Sequence, residues 1–205
     1  MNKGVSLYIT IGEWIFKILL LNIYWFIFSL LGLFIAGVFP ATAALFATIR
    51  QDIKSENDIK LFRNFIHYYK QEFIKANILG YMLTIATLIL LFNLQILGRL
   101  DGSIFISTLM VMTYILLAII ALVSVFIFPI YVHYQFPVLS YIKYSAIIVI
   151  GKPLQTIAML GLIAATFYLY YLVPGFIPAL GVSLLAYIIM RTAYSFFSVP
   201  EQAEQ

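Results

Sequence analysis

Cysteine is absent from the 205-residue chain, and titratable residues are scarce: 12 lysines and arginines, 8 acidic residues and 2 histidines. The lack of cysteine excludes disulfides, thiolate nucleophiles and zinc–sulfur sites. The net charge of +4 is small and scattered, which is not typical of a nucleic-acid-binding surface. Neither His67 nor His133 has an acid or a second histidine at metal-ligand spacing. We therefore expect no nucleic-acid partner, no metal and no cofactor.

Recognisable catalytic motifs are also missing. The chain carries no glycine-rich phosphate loop, and no serine stands in a motif with a base and an orienting group. These absences predict that the protein is not an enzyme. One early lysine, Lys3, is not followed by a short apolar core with a small-residue cleavage site, so we expect no cleaved signal peptide.

Apolar residues are what the chain has in excess. They make up 64% of the sequence, and charged residues only 10%, against about 45–50% and about 25% in ordinary soluble domains. One globular core of this length could not bury that surplus, so much of it must face lipid. The composition predicts an all-α polytopic membrane protein, in which residues 1–205 form a single membrane domain.

The apolar stretches predict about five transmembrane helices, together with short interfacial amphipathic helices. Each stretch can cross about 30 Å of hydrocarbon at about 1.5 Å per residue. Arg99 and Asp101 mark a polar turn between the second and third spans, and Pro174 and Pro178 break the helix between the last two. The predicted spans are residues 18–39, 77–98, 104–128, 154–173 and 177–194.

The sequence FPATAALFATIR follows the first span without a polar loop. A helix from residue 18 to residue 49 would be about 48 Å long, which exceeds even a strongly tilted span. Pro40 suits the first turn of a new helix, which we interpret as lying at the membrane edge or as partly re-entrant. The alternative is a kink that shifts the first span. Ala43, Ala44 and Ala47 recur at helical spacing and favour close packing on a neighbouring helix.

Residues 58–76 are predicted to form a cytoplasmic amphipathic helix, which Ser55 and Asp58 can cap. Aromatic residues lie along one face of it, and basic residues lie largely elsewhere. Such a helix lies in the lipid headgroup plane or presents a docking face to a partner. The face is formed by Phe62, Phe65, Tyr69 and Phe73.

The distribution of cations predicts the topology. If the first large connection is cytoplasmic, nine lysines and arginines lie inside and three, Lys3, Lys17 and Arg99, lie outside. Because cytoplasmic loops are enriched in these residues, we predict an outside N-terminus and an inside C-terminus.

Few polar residues fall within the spans. Glu13 and Lys17 are one helical turn apart, which favours an ion pair at the membrane interface or, alternatively, a gating pair. Asn22, Asn93 and Gln95 favour hydrogen bonds between helices, or alternatively could line a path for a sugar.

Three stretches resemble the YesL-like family of predicted integral membrane proteins, a family of unknown function found mainly in Gram-positive bacteria. They are NIYWFIFSLLGLFIAGVFPATAALFATIR, LFRNFIHYYKQEFIKANILG and FPVLSYIKYSA, within residues 10–155, and the FPATAALFA block is the most specific. The resemblance implies a bacterial cytoplasmic membrane protein whose gene lies among those of sugar importers and glycan-degrading enzymes.

On this basis we expect a non-enzymatic accessory or scaffold protein associated with a bacterial carbohydrate ABC importer. The alternatives are a stand-alone transporter or channel for small solutes, and an interaction protein in envelope glycan assembly. Expected partners are membrane lipid and importer permease subunits or another membrane complex, and association between copies of the chain stays open. The expected partner interface comprises Phe39, Pro40, Ala43, Ala44, Ala47, Phe62, Phe65, Tyr69, Phe73, Phe136 and Pro137.

Overall fold

The computed structural model describes residues 3–55, 59–100 and 102–196, with side chains described between residues 8 and 194. Asp58 and Asp101, to which the sequence assigned a helix cap and a turn, lie outside the described residues. The helices are α1 (Lys3–Leu31), α2 (Val38–Lys54), α3 (Leu61–Leu97), α4 (Ile104–His133), α5 (Val138–Gly151), α6 (Pro153–Leu172) and α7 (Phe176–Phe196).

The all-α prediction is confirmed. Five helices, α1, α3, α4, α6 and α7, are long and apolar enough to cross a membrane, which indicates a multi-pass membrane protein. The shorter α5 is also apolar. The predicted α6–α7 hairpin is present, and it turns at residues 173–175.

The first span differs from its prediction, because the candidate span runs from Tyr8 to Leu31 rather than over residues 18–39. A six-residue turn then reverses the chain, with Leu33 and Phe34 in the left-handed region at φ 54° and 59°. Side chains of α3 hold this turn: Tyr81 Oη donates to the Ile35 carbonyl at 2.6 Å, and Asn77 Nδ2 donates to the Ala36 carbonyl at 2.9 Å. The helical segment between residues 31 and 38 is thus replaced by a turn that α3 stabilises.

Helix α2 begins just before Pro40, as the sequence predicted, and it lies inside the bundle of helices. It returns alongside α1, since Trp25 Nε1 donates to Thr42 Oγ1 at 3.0 Å and Lys17 pairs with Asp52 at 3.2 Å. It also contacts α3, α4 and α7. Small side chains and a continuous apolar surface allow this burial, with every residue from Ala43 to Ile49 buried.

Helix α3 is one uninterrupted helix, not an amphipathic helix over residues 58–76 followed by a separate span over 77–98. Its 37 residues correspond to about 55 Å. No proline breaks the segment, and Gly80, its only glycine, serves packing: the ring of Phe39 occupies the space that a Cβ at Gly80 would need. The amphipathic half is therefore a rigid extension of the second span.

The later helices pack around this core. Helix α4 continues past its predicted end at residue 128, through Pro129, to His133. The side chain of Asn22 in α1 forms hydrogen bonds with two backbone groups of α7 that are one helical turn apart. Its Nδ2 donates to the Pro178 carbonyl at 2.9 Å, and its Oδ1 accepts from Val182 N at 3.1 Å. The asparagine therefore joins the two helices through backbone groups.

The start of α1 and the end of α7 lie at one end of the bundle. The sides of the membrane predicted for the two termini stay a prediction. Helices α1 and α7 are antiparallel, because Trp14 contacts Tyr187 with ring centroids 5.2 Å apart while Asn22 bonds Pro178. Between them α2 runs back alongside α1, a pass that a count of long apolar stretches omits. We call this end, which also carries Asp52, Glu72 and His133, the polar end.

Charge reversal at the ion pair between Lys17 and Asp52 tests whether α1 and α2 pack as a hairpin. Both side chains are largely shielded, with 28% and 23% exposed. We therefore expect Lys17→Glu and Asp52→Lys each to lower the free energy of unfolding by about 1–2 kcal/mol. The double variant restores opposite charges, so it should recover part of that loss in detergent unfolding assays. Strictly additive losses would contradict the pairing.

Candidate functional site

A polar cleft of about 340 Å³ opens at the polar end, between α2, α3, α4, the 134–137 loop and α5. Its polar side chains are Arg50, Gln71, Glu72, Lys75, His133 and Gln135. Its aromatic side chains are Tyr68, Tyr131, Tyr134, Phe136 and Tyr141. The volume falls in the range of small-molecule sites, and the mixture of charged, amide and aromatic groups suits a polar ligand or a polar segment of a partner.

Two charged groups of the cleft, Arg50 and Glu72, are held by contacts between helices. Arg50 Nε of α2 donates to His133 Nδ1 of α4 at 3.4 Å. Tyr131 of α4 donates its hydroxyl hydrogen to Glu72 Oε2 of α3 in a short hydrogen bond. Three helices are thus tied together around the cleft.

The loop over residues 134–137 is held by a single tyrosine of α5. Tyr141 Oη accepts a hydrogen bond from Phe136 N at 2.9 Å and donates to the Tyr134 carbonyl at 3.1 Å. The Tyr141 ring itself packs edge-on against Tyr131, with centroids 4.9 Å apart. The loop therefore has a defined shape before any ligand or partner binds.

Three rings form what we call the aromatic stack, made of Tyr134, Phe136 and Tyr144. Tyr134 and Phe136 are nearly parallel with centroids 5.3 Å apart, and Phe136 and Tyr144 are 4.5 Å apart. Tyr144 is 42% exposed and Tyr134 36%, and Pro137 beside them is exposed. The stack is thus an accessible apolar surface at the rim of a polar cleft.

The structure corrects part of the predicted partner interface. Five of its residues are buried inside the chain itself, because α2 and the first half of α3 pack on each other and on the neighbouring helices: Pro40, Ala43, Ala44, Ala47 and Phe65. Small residues do permit close helix approach there, but the approaching helices belong to the same chain. These five side chains are not available on the surface of the folded chain.

The other six predicted interface residues keep some exposure. Phe39, Tyr69, Phe73 and Phe136 are partly buried, whereas Phe62 and Pro137 are exposed. Phe62 packs against Tyr24 with centroids 5.3 Å apart. Only Phe136 among them lines the polar cleft, where Ala47 also contributes. Their role in binding a partner stays a prediction.

The polar residues predicted within the spans do not form one path. Asn22 is 7% exposed and bonds α7, whereas Asn93 is exposed on α3 and accepts a hydrogen bond from Thr113 of α4 at 3.1 Å. Gln95 is exposed. The interpretation that Asn22 and Asn93 make hydrogen bonds between helices is confirmed.

Sequence reasoning did not find the cleft, although it noted His133. Arg50, Glu72, Tyr131 and His133 belong to three helices and are separated by up to 83 residues. No local spacing relates them. Among the described residues no group of three or more His, Cys, Asp or Glu side chains could hold a metal ion.

Comparison with known proteins gives a family but no activity. Residues 18–94 match the family described as "Protein of unknown function, DUF624". The chain is similar to three proteins of Bacillus subtilis (strain 168), each described as uncharacterized. YteU is 33% identical over 93% of this chain and 85% of its own length. YesV is 36% identical over 92% and 90% of the two lengths, and YesL 26% identical over 94% and 90%.

No solved structure matches the chain. The family match covers α1 from Ile18, the turn, α2 and nearly all of α3, which includes the FPATAALFA block and the α3 side of the polar cleft. The similarity to the three relatives extends over almost the whole chain. The protein therefore belongs to the DUF624 family, the YesL-like membrane proteins that its sequence resembles.

Proposed function

We propose that this protein is a non-enzymatic accessory subunit of the bacterial cytoplasmic membrane, which docks a permease subunit of a carbohydrate ABC importer through the aromatic stack. The observation that carries the proposal is the stack itself, with Tyr134, Phe136 and Tyr144 presented next to the exposed Pro137. The importer as partner follows from the genomic setting that the family resemblance implies.

The stack has the properties of a binding hot spot. Aromatic side chains dominate interface energies when they are buried by a partner. Binding costs less when the binding segment is already ordered, and here Tyr141 fixes the loop from both sides through Phe136 N and the Tyr134 carbonyl. A partner would therefore meet a preformed apolar surface.

We also propose that the polar end faces the cytoplasm. The sequence prediction placed nine of the twelve lysines and arginines on the cytoplasmic side. Lys3 and Lys17 lie in the part of α1 at the polar end, so eleven of the twelve would then be cytoplasmic. Only Arg99, which follows α3, stands at the opposite end. Cytoplasmic flanks of membrane spans are enriched in such cations, so a docked partner would be contacted on the cytoplasmic side.

Co-purification tests the docking surface. The tagged protein, extracted in mild detergent from a strain that expresses the importer, should recover permease subunits. Phe136→Ala should reduce that recovery several-fold, since truncation of a central aromatic residue commonly costs 2 kcal/mol or more, about thirty-fold. Phe105→Ala is the matched control, because Phe105 is 69% exposed on α4 but lies far along the chain from the loop.

Recovery of the chain alone in repeated preparations, together with unchanged sugar uptake in a deletion strain, would refute the proposal. Equal recovery with Phe136→Ala and Phe105→Ala would refute the assigned surface.

One observation favours a second candidate, a stand-alone transporter of small solutes. The cleft of about 340 Å³ is large enough for such a solute. Reconstitution of the purified protein into liposomes separates the two candidates, because only the transporter requires solute flux in the absence of any other protein.

A further inference from the structure

Arg50 is a partly buried cation of the polar cleft, and no acidic side chain among the described residues pairs with it. Its side chain lines the polar cleft, and its Nε makes a long hydrogen bond of 3.4 Å to His133 Nδ1. Among the described residues, neither Arg50 nor Lys75, the second cation of the cleft, has a carboxylate within 4.0 Å. Both ends of the guanidinium fork therefore remain available for an acceptor.

The acid of the same cleft is already engaged. Glu72 accepts the short hydrogen bond from Tyr131, which anchors its carboxylate at the α3–α4 contact. Arg50 and Lys75 outnumber Glu72, the one carboxylate among the lining residues, so the cleft carries an excess of positive charge. An additional anion would neutralise the cleft.

We infer that the polar cleft binds a phosphate group, held between Arg50 and Lys75. A guanidinium fork suits a phosphate because it can donate two parallel hydrogen bonds to two of its oxygens. The side-chain amides of Gln71 and Gln135 on the cleft wall supply further donors. Basic pockets between membrane helices are typical binding sites for phosphate-bearing lipid headgroups.

The phosphate can come from a lipid headgroup or from a soluble phosphate, and the cleft's chemistry is the same for both. This inference stands apart from the importer proposal, because it needs no protein partner. It also involves a different part of the polar end: the aromatic stack lies at the rim, and the two cations lie within the cleft.

Ligand binding to the delipidated full chain in a neutral detergent tests the inference. The probes are phosphatidylglycerol, diacylglycerol as a lipid without phosphate, and inorganic phosphate, with native mass spectrometry and the thermal unfolding midpoint as readouts. We expect saturable binding of phosphatidylglycerol or of inorganic phosphate and no comparable binding of diacylglycerol. Phosphatidylglycerol binding that millimolar phosphate does not displace identifies the lipid, and phosphate binding without lipid identifies the soluble source.

Substitutions within the cleft make the test specific. Arg50→Gln should weaken binding roughly ten- to hundred-fold, because it removes charge-assisted hydrogen bonds, and Lys75→Gln should weaken it by a smaller factor. Arg63→Gln is the matched control, since Arg63 is exposed on the same helix as Lys75 but does not line the cleft. If the Arg50→Gln variant does not fold, the binding affinity of the Lys75→Gln variant provides the test, because Lys75 is exposed.

Two results would overturn the inference. The first is the absence of saturable binding for both phosphate-bearing probes. The second is an affinity that Arg63→Gln lowers as much as the cleft substitutions do.

Discussion

Gly80→Ala is expected to lower the free energy of unfolding by about 3 kcal/mol, the upper part of the usual range for overpacking. A Cβ at this position would overlap the Phe39 ring at its Cγ and Cδ atoms, which lie close to the backbone rather than at the far end of the side chain. The effect is unusual in sign, because glycine to alanine in a helix interior normally stabilises by about 1 kcal/mol. The unfolding midpoint in detergent micelles measures it.

Gly161 provides the matched control for this substitution. It lies in α6, and nothing within 4 Å would meet an added Cβ, so Gly161→Ala should leave stability unchanged or raise it slightly. In the Gly80→Ala background, Phe39→Ala should restore part of the loss by removing the ring. If Gly80→Ala were as stable as Gly161→Ala, the close α2–α3 packing would be wrong.

Asn22→Leu is expected to cost about 2–4 kcal/mol, since it removes three hydrogen bonds and leaves α7 backbone groups facing an apolar side chain. The Asn22 amide donates to the Pro178 carbonyl and accepts from Val182 N and Ser183 N at 2.9, 3.1 and 3.3 Å. The side chain is only 7% exposed, so little water can replace these bonds. A lowered unfolding midpoint would report the loss.

Asn93→Leu is the natural comparison for that variant. Asn93 is exposed and has one hydrogen bond between helices, to Thr113, so the expected cost is at most about 1 kcal/mol. Equal losses for the two asparagines would indicate that Asn22 does not anchor α1 to α7.

The class of fold and the positions of most helices could be predicted from the sequence. Long apolar stretches predict spans directly, and proline positions mark the α6–α7 turn and the beginning of α2. The helix boundaries near residues 31–38 were missed because no proline or charge marks that turn. What stabilises it are the bonds from Asn77 and Tyr81 to the Ile35 and Ala36 carbonyls, some forty residues away in the chain.

The position of α2 could not be read from its sequence for a related reason. Seventeen residues that end in Arg50, Asp52 and Lys54 are typical of a helix at a membrane edge, and the alanine pattern indicates close packing without identifying the neighbour. The neighbours are helices of the same chain, so the α2 residues that were predicted to contact a partner protein are instead part of the hydrophobic core. The polar cleft was missed because its charges come from α2, α3 and α4, which meet only in the folded bundle.

The central claim is that α1 and α2 form a hairpin, so that the start of α1 and the α2–α3 connection share one side of the membrane. The chain has no cysteine, so single cysteines at Lys3, Ser55 and Gly102 can be labelled with a membrane-impermeant maleimide without background. In intact cells we expect Gly102→Cys to be labelled, and Lys3→Cys and Ser55→Cys only after permeabilisation. Labelling that places Lys3 and Ser55 on opposite sides would contradict the hairpin.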